Sequence, residues 1–182
     1  MSIDELRRVL PPPTRPRRTG SPEEWVVAEA RLGLTFPSDV KAFTATYGDG
    51  VVGGSVSLLA PIGKPWDLWF SGIDQALSVF RDYQEMEGWD EWPYTFEIRP
   101  GGLMPWAVGP DVATLFWLIE GEPDTWPIVS ALGFDGTKRY EETMTSLLAG
   151  WIAGRLVLDF FPPLDRDALF VPRPIPGLSK DG

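Results

Sequence analysis

The 182-residue sequence predicts an α+β fold, in which an antiparallel-rich central sheet is packed by N-terminal helices and a C-terminal helix. Three observations indicate this class. Residues 103–131 hold three short apolar runs rich in β-branched and aromatic residues, which favour strands. Only short turns separate these runs, and a parallel return would need a crossover of about a dozen residues or more. Apolar residues recur at helical spacing on both sides of this stretch.

The central prediction is a three-stranded antiparallel meander formed by Leu103–Val108, Thr114–Ile119 and Trp126–Ala131. Gly, Pro and Asp residues at 109–111 and 121–124 provide the turn chemistry between the strands. Alternate residues of a strand point to opposite faces. One face of the middle strand would carry Leu115, Trp117 and Ile119, and the other Phe116 and Leu118. Because both faces are apolar, we expect this strand to be central and covered on each side.

Two helices are predicted before the sheet. Ser21 can cap the first, with Pro22 at the first helical position, Glu24 completing a capping box and Gly33 ending the helix. The second helix begins near Pro37. Its predicted buried stripe consists of Val40, Phe43 and Tyr47.

Two more helices are predicted from capping residues followed by apolar periodicity. Ser71 with Asp74 forms a capping box for a third helix that extends to about Gln84, and Thr143 caps a last helix. The predicted buried residues of the third helix are Ile73, Leu77 and Phe80. Those of the last helix are Leu147, Leu148, Trp151 and Ile152.

Strands are also predicted outside the meander. Alternation indicates strands at Ser55–Leu59 and Tyr94–Ile98. Residues 60–70 contain prolines and a glycine, which predict an ordered loop or an edge strand. The Gly-rich segment 48–54 is interpreted as a turn, because it lacks the Lys-Ser/Thr and the βαβ context of a phosphate-binding loop.

The chain length favours one domain. We predict a Pro/Arg-rich N-terminal arm at 1–20, a single domain at 21–161 and a Pro-rich C-terminal tail at 162–182. The arm would begin with one or two amphipathic turns and continue as a linker or mobile segment. The density of proline in 162–176 predicts a tail without regular structure.

The net charge of −10 is unevenly distributed. Residues 1–20 carry +3, because five arginines outnumber two acids, so the rest of the chain carries −13. An acidic body repels phosphate backbones, which argues against nucleic acid as the direct partner. Such a body would steer the approach of a basic protein. Solubility alone is an equally open explanation of the charge.

The sequence contains no His and no Cys, which excludes several kinds of site. A Ser-His-Asp triad, a thiolate nucleophile and a Cys/His zinc site cannot be assembled. Carboxylate chemistry remains, as in glycosidases or all-oxygen cation sites. Adjacent acids tend to point apart, and no EF-hand loop is present. We therefore predict a protein that is not an enzyme and that has no cofactor or metal.

The sequence contains no run of about 20 apolar residues, so it predicts no membrane-spanning helix. The N-terminus has no apolar signal-peptide core, so we expect a cytoplasmic protein.

Residues 82–97 combine carboxylates with large aromatic side chains and contain no Lys or Arg. Aromatic residues anchor protein interfaces, and carboxylates pair with the basic residues of a partner. The alternative is a solvated loop whose tryptophans pack against the sheet edge. The candidate partner-binding residues are Trp66, Trp69, Asp82, Glu85, Glu87, Trp89, Asp90, Glu91 and Trp92.

Motifs in a fixed order extend from about residue 25 to residue 158. They are Leu34–Phe43 with Tyr47–Gly50, then Leu103–Trp106, Leu115–Trp117 and Gly121–Val129, and finally Leu147–Trp151 with Gly154–Leu156. In this order the motifs resemble the bacterial SMI1/KNR4 family of the SUKH superfamily. Residues 82–100 match no motif of that family, so the resemblance implies nothing about partner specificity there.

The resemblance implies a SUKH-like fold and a role as an immunity protein in a polymorphic toxin system. Such proteins bind and neutralise a cognate toxin, often a nuclease. Family motif residues such as Pro37, Gly48, Trp106, Trp117 and Trp126 are interpreted as packing and turn determinants. Two alternatives stay open: a regulatory or scaffold protein without a toxin partner, and a carboxylate-based carbohydrate-active protein with tryptophan platforms.

Overall fold

The computed structural model describes residues 3–61, 66–86 and 92–173, with the backbone alone at residues 66–68 and 134. The helices are α1 Ile3–Val9, α2 Pro22–Leu32, α3 Ser38–Tyr47, α4 Trp66–Glu85 and α5 Met144–Ile152. The strands are β1 Gly50–Val52, β2 Val56–Leu58, β3 Leu103–Val108, β4 Thr114–Leu118, β5 Ile128–Leu132, β6 Gly136–Tyr140 and β7 Phe170–Pro172.

The strands form one sheet in the order β6-β5-β4-β3-β2-β1-β7, and each neighbouring pair is antiparallel. The predicted α+β class is therefore confirmed. No described helix is long and apolar enough to cross a membrane.

The predicted meander is confirmed as β3, β4 and β5, and every residue of β4 is buried. On one face of the sheet, Phe116 packs edge-on against Phe80 of α4, with ring centroids 5.2 Å apart. On the other face, Trp117 contacts Phe36 from the α2–α3 connection, with centroids 6.2 Å apart. Met144 of α5 lies on the same side as Trp117, and α1 packs against α3 and α5. Strand β4 is thus covered on both sides of the sheet, as expected for a strand whose two faces are both apolar.

The capping box of α2 forms as predicted. The Ser21 hydroxyl accepts the Glu24 N–H at 3.3 Å, and the Glu24 carboxylate accepts the Ser21 N–H at 2.9 Å. Gly33 ends the helix with a φ of 66°, a conformation that glycine adopts without steric cost. The predicted buried stripe of α3 is confirmed, and its Tyr47 hydroxyl donates to the carbonyl of Leu10 at 2.6 Å.

The caps of α3 and α5 come from distant residues. Thr143 holds the predicted position before α5, but its hydroxyl donates to Ser146 rather than accepting a backbone N–H. Asp39 of α3 accepts the Thr145 N–H of α5 at 2.9 Å. Asp124 in turn accepts the Ser38 N–H at the start of α3. Each helix therefore begins against a carboxylate that faces the positive end of its dipole.

The predicted start of the third helix at Ser71 is wrong, because α4 begins at Trp66. The predicted loop or edge strand at 60–70 is wrong at residues 66–70, which belong to α4, and its residues 62–65 lie outside the described part of the chain. The buried stripe of Ile73 and Leu77 continues one turn upstream to Trp69, which is also buried. Burial of this longer stripe stabilises a helix that starts before the local capping signal.

The Gly-rich segment 48–54 was predicted to be a turn. It contains a turn, but it also contains strand β1. Val51 pairs with Ser57 of β2 on one side and with Val171 of β7 on the other. Gly53 and Gly54, both with positive φ, make the turn into β2. The predicted strand at 55–59 is confirmed as β2. The predicted strand at 94–98 is wrong, since that segment forms an isolated bridge between Thr95 and Gly102.

The chain ends are more ordered than expected. Leu6 and Leu10 are fully buried, and Arg17 bridges to Gly48. The expectation of a tail without regular structure is wrong at β7, whose Pro172 lies on the edge strand, where sheets tolerate proline. The predicted tail beyond Arg173 lies outside the described residues.

Candidate protein-binding surface

Helix α4 presents one polar face to solvent. Its buried stripe faces the sheet, while the opposite side carries Asp74, Gln75, Ser78, Asp82 and Glu85. These residues recur at intervals of three or four, so they share one side of the helix. Tertiary packing of α4 therefore fixes three carboxylates on one outward surface.

Two of these carboxylates have no ion-pair or hydrogen-bond partner in the part of the chain that the structure describes. Asp82 and Glu85 are exposed, and neither forms a hydrogen bond or ion pair with a residue in the described ranges. Asp74 pairs with Arg81 at 3.0 Å, but both side chains are largely exposed, so the pair contributes about 1 kcal/mol at most. The local charge on this end of α4 is thus negative.

The position of Asp82 and Glu85 opposes the helix dipole. Both lie in the last turn of α4, which contains no basic residue. The C-terminus of a helix carries partial negative charge, and a nearby like charge costs about 0.3–1 kcal/mol. Local rules of this kind are most often violated at functional sites. The acids at the end of α4 are therefore candidates for a role other than stability.

Trp92 lies beside this helix end. It is half-buried, and its ring centroid lies 5.8 Å from that of Phe80 and 5.4 Å from that of Phe96. The Gln84 side-chain amide donates to the Tyr94 carbonyl at 2.8 Å, which fastens the following segment to α4. Trp92 is therefore anchored in the core on one side and exposed to solvent on the other.

Trp69, another candidate from the sequence, belongs to the core. Only 8% of it is exposed, and its indole N–H donates to the Leu59 carbonyl at 3.2 Å. Its ring packs against Phe70 and Phe36 at centroid distances of 4.7 and 6.3 Å. As a correction to the sequence prediction, Trp69 is not available as a partner contact or a sugar platform.

The remaining candidates are only partly described. Trp66 begins α4, and only its backbone is described. The other four, which precede Trp92, lie outside the described residues: Glu87, Trp89, Asp90 and Glu91. The structure thus brings Asp82, Glu85 and Trp92 to one end of α4 and removes Trp69 from the set.

A second charged group, which the sequence did not indicate, joins β6 to the chain after β4. Arg139 donates to Glu141 and to Glu120, each at 2.6 Å. These hydrogen bonds raise the pKa of Arg139, and the one to Glu141 lowers the pKa of that carboxylate. Burial raises the pKa of nearby Tyr94. One guanidinium offsets one of the two carboxylates, so this group keeps a single negative charge.

A cleft on the same helix was also not predicted. A cavity of about 310 Å³ lies between α4 and the turn that joins β3 to β4. That turn contains Asp111 and Val112 with φ of 53° and 61°, a left-handed conformation that β-branched residues rarely adopt. Sequence periodicity could not show this cleft, because it depends on how α4 crosses the sheet.

A larger cavity of about 460 Å³ lies beyond the end of α5. Trp151, Phe161 and Leu164 are among its apolar walls, and Arg166 also lines it. Its described lining residues include no acid, so it is separate from the acidic surface. Within residues 3–61, 66–86 and 92–173, no group of three or more Asp or Glu side chains is arranged to hold a metal ion.

No protein-family model matches the chain, and no curated protein or solved structure matches it significantly. The resemblance to the SMI1/KNR4 family therefore stays a prediction from the sequence motifs.

Proposed function

We propose that this chain is a protein-binding module, and specifically an immunity protein that neutralises a cognate bacterial toxin through an acidic-aromatic surface. The observation that supports this most is the position of two exposed carboxylates, Asp82 and Glu85, in the last turn of α4. They oppose the helix dipole and have no partner among the described residues, which supports a role in binding a partner.

The proposed partner is a basic protein, with a nuclease as the specific candidate. A nuclease needs a positively charged surface to hold the phosphate backbone, and an acidic surface is complementary to it. Such complementarity raises the association rate and makes it depend on ionic strength. Trp92 would add an aromatic anchor at the edge of the same surface.

The alternative of a regulatory or scaffold protein uses the same surface and differs in its partner. The genes next to the one that encodes this chain distinguish the two proposals, since the gene of an immunity protein is expected beside the gene of its toxin.

The experiment is growth protection. A toxin domain encoded directly upstream of this chain is induced in a bacterial host with and without the chain. We expect the chain to restore growth, and we expect the double variant D82K/E85K to protect at least about tenfold less, as the loss of charged contacts at an interface predicts.

The matched control is E122K/D167K, which makes the same charge change at two exposed acids outside α4. This control should protect like the natural chain. Equal protection by D82K/E85K and by the control would refute the α4 surface. Absence of any protection would refute the immunity role.

A further inference from the structure

The cleft beside α4 has an apolar interior. Phe80 and Ala76 of α4 form part of its floor, and both are buried. Val79 of α4, with Val108 and Val112 around the β3–β4 turn, adds aliphatic wall. A volume of about 310 Å³ is at the small end of ligand sites, which suits one large side chain rather than a whole cofactor.

Two polar groups around the cleft are already paired within the protein. The Thr114 hydroxyl donates to the Val112 carbonyl at 2.9 Å, and the Gly109 N–H donates to the Ala113 carbonyl at 2.7 Å. Gln75 lines the cleft from the exposed side of α4. Since the interior offers few free donors or acceptors, the cleft favours an apolar occupant.

The rim of the cleft is acidic on both sides. Asp82 follows the lining residue Val79 by about one helical turn on α4, and Asp111 precedes Val112 on the turn; both acids are exposed. Asp74 lies on the flank of α4 that turns away from Gly72 and Ala76, and it pairs with Arg81 there, so it does not belong to the rim. A side chain that enters the cleft would therefore be flanked by carboxylates, which select basic neighbours in the partner.

The lip of the cleft is held in a strained conformation. Asp111 and Val112 are consecutive non-glycine residues with positive φ, and left-handed geometry costs roughly 1–2 kcal/mol per residue. Val112 nevertheless stays 43% exposed beside the cleft. Strain of this kind collects at binding sites, where the surrounding structure maintains it.

We propose that this cleft is the anchor pocket of the partner interface, and that it takes an apolar side chain flanked by Lys or Arg in a segment of a protein partner. The inference deepens the proposed function and rests on it for the identity of the partner. The acids at the end of α4 and the cleft form one continuous surface along the helix.

The test uses two synthetic peptides and the full-length chain. The peptides are acetylated and amidated Lys-Lys-Trp-Lys-Lys and Lys-Lys-Gly-Lys-Lys, titrated into isotopically labelled protein and followed by amide chemical shifts. The Trp peptide should shift the amides of Gly72, Ala76 and Val112. It should bind about tenfold more tightly than the Gly peptide, the ratio expected from burying an aromatic side chain.

Gly72 provides the variant that fills the cleft. A Cβ built at Gly72 meets the nearest atom, Leu59 Cδ2, at 3.7 Å, which is ordinary contact, so larger residues can be placed there. G72M should reduce affinity for the Trp peptide about tenfold, the loss expected when the anchor no longer enters the cleft. G72A should bind the peptide like the natural chain, and V26M is the control, because it places the same side chain at an exposed position of α2 that does not line the cleft.

A second variant tests the rim without altering the interior. D82N/D111N should weaken both peptides severalfold and reduce the salt dependence of binding. Thermal unfolding of each variant confirms that it is folded. Equal affinity for the two peptides, or unchanged affinity in folded G72M, would overturn the cleft proposal.

Failure of the cleft and failure of the function are distinguishable. If D82K/E85K loses growth protection while G72M retains it, the cleft is wrong and the protein-binding function stands. If the peptides bind as expected but the chain protects against no neighbouring toxin, the cleft stands and the immunity role is wrong.

Discussion

The main-chain N–H of Arg173 donates to the carbonyl of Asp49 at 2.9 Å, and its guanidinium Nε lies 3.4 Å from Oδ1 of the same residue. Asp49 also binds the other terminal segment. Its N–H donates to the Arg17 carbonyl at 2.9 Å, and its Oδ2 accepts from Arg18 at 3.4 Å. One buried residue between α3 and β1 therefore holds both ends of the described chain against the sheet.

This arrangement predicts that substitution of Arg173 lowers the free energy of unfolding more than substitution of Asp49 does. Arg173 also donates to the Ser57 hydroxyl at 2.7 Å and to the Leu58 carbonyl at 3.1 Å. R173A should therefore lower the free energy of unfolding by about 2–3 kcal/mol, because it leaves a buried carboxylate with one partner fewer. D49N should cost less than about 1 kcal/mol, since it keeps the backbone contacts and removes a buried charge.

Urea denaturation measures both changes, with R166A at an exposed arginine as the control. A larger cost for D49N than for R173A would contradict this account. Hydrogen exchange should in addition become faster at Val171 in R173A, because the variant loosens β7.

Asp49 also predicts a pH dependence. Burial raises the pKa of this carboxyl above its ordinary value of 3.8, while Arg173 and Arg18 act in the opposite direction. The folded state then holds the proton more tightly than the unfolded state does. The stability that this group contributes is fully present at a pH below its ordinary pKa of 3.8, and it is lost as the pH rises through the folded-state pKa.

The measurement compares the natural chain with D49N between about pH 3 and pH 7. The stability of the natural chain relative to D49N should fall as pH rises across that range. A difference that stays constant or rises with pH would show that the two arginines outweigh the cost of burial.

Two tyrosines predict a loss of stability at alkaline pH. Burial raises the pKa of Tyr47 and that of Tyr140, each to about 12. Since both folded-state values exceed the ordinary 10.0, the unfolded state loses these protons first, and stability falls as pH rises from 10 towards 12. Ionised Tyr47 could no longer donate to the Leu10 carbonyl.

Y47F tests this prediction. It should lower the free energy of unfolding at neutral pH by about 1–3 kcal/mol, because the buried Leu10 carbonyl loses its donor. Above pH 10, denaturation curves of Y47F should depend less on pH than those of the natural chain. If the free energy of unfolding of the two proteins depended equally on pH above pH 10, Tyr47 would be excluded as a source of the effect.

The acids at the end of α4 predict a trade-off between stability and binding. D82K/E85K should raise the free energy of unfolding by about 0.5–1.5 kcal/mol, because two cations replace two anions near the negative end of the helix dipole. The same variant should bind the partner more slowly. Denaturation and association kinetics together check this, and a variant that is both less stable and unchanged in binding would contradict it.

The strained turn predicts a stabilising substitution. V112N should raise the free energy of unfolding by about 0.5–1 kcal/mol, because Asn tolerates the left-handed conformation that Val112 adopts. Val112 is partly exposed, so little packing is lost. Thermal denaturation measures the change, and the neighbouring exposed D111N is the comparison. A destabilised V112N would show that the valine side chain matters more than its backbone strain.

The sequence by itself determined the parts of the fold that depend on neighbours along the chain. The meander followed from short apolar runs and tight turns, and the caps of α2 from Ser21, Glu24 and Gly33. These signals act within a few residues, where the stereochemistry of the chain is sufficient. The acids at the end of α4 could likewise be assigned to a surface from their charge, because an unpaired carboxylate is costly to bury.

Tertiary structure alone decided the features that join distant residues. The pairing of Val51 with Val171, the cap that Asp39 provides for α5 and the burial of Trp69 all depend on contacts between separate elements. The free energy of such contacts exceeds local propensity, so α4 begins before its capping signal and a proline-rich segment becomes a strand. The cleft beside α4 arises in the same way, since it exists only once the helix has packed on the sheet.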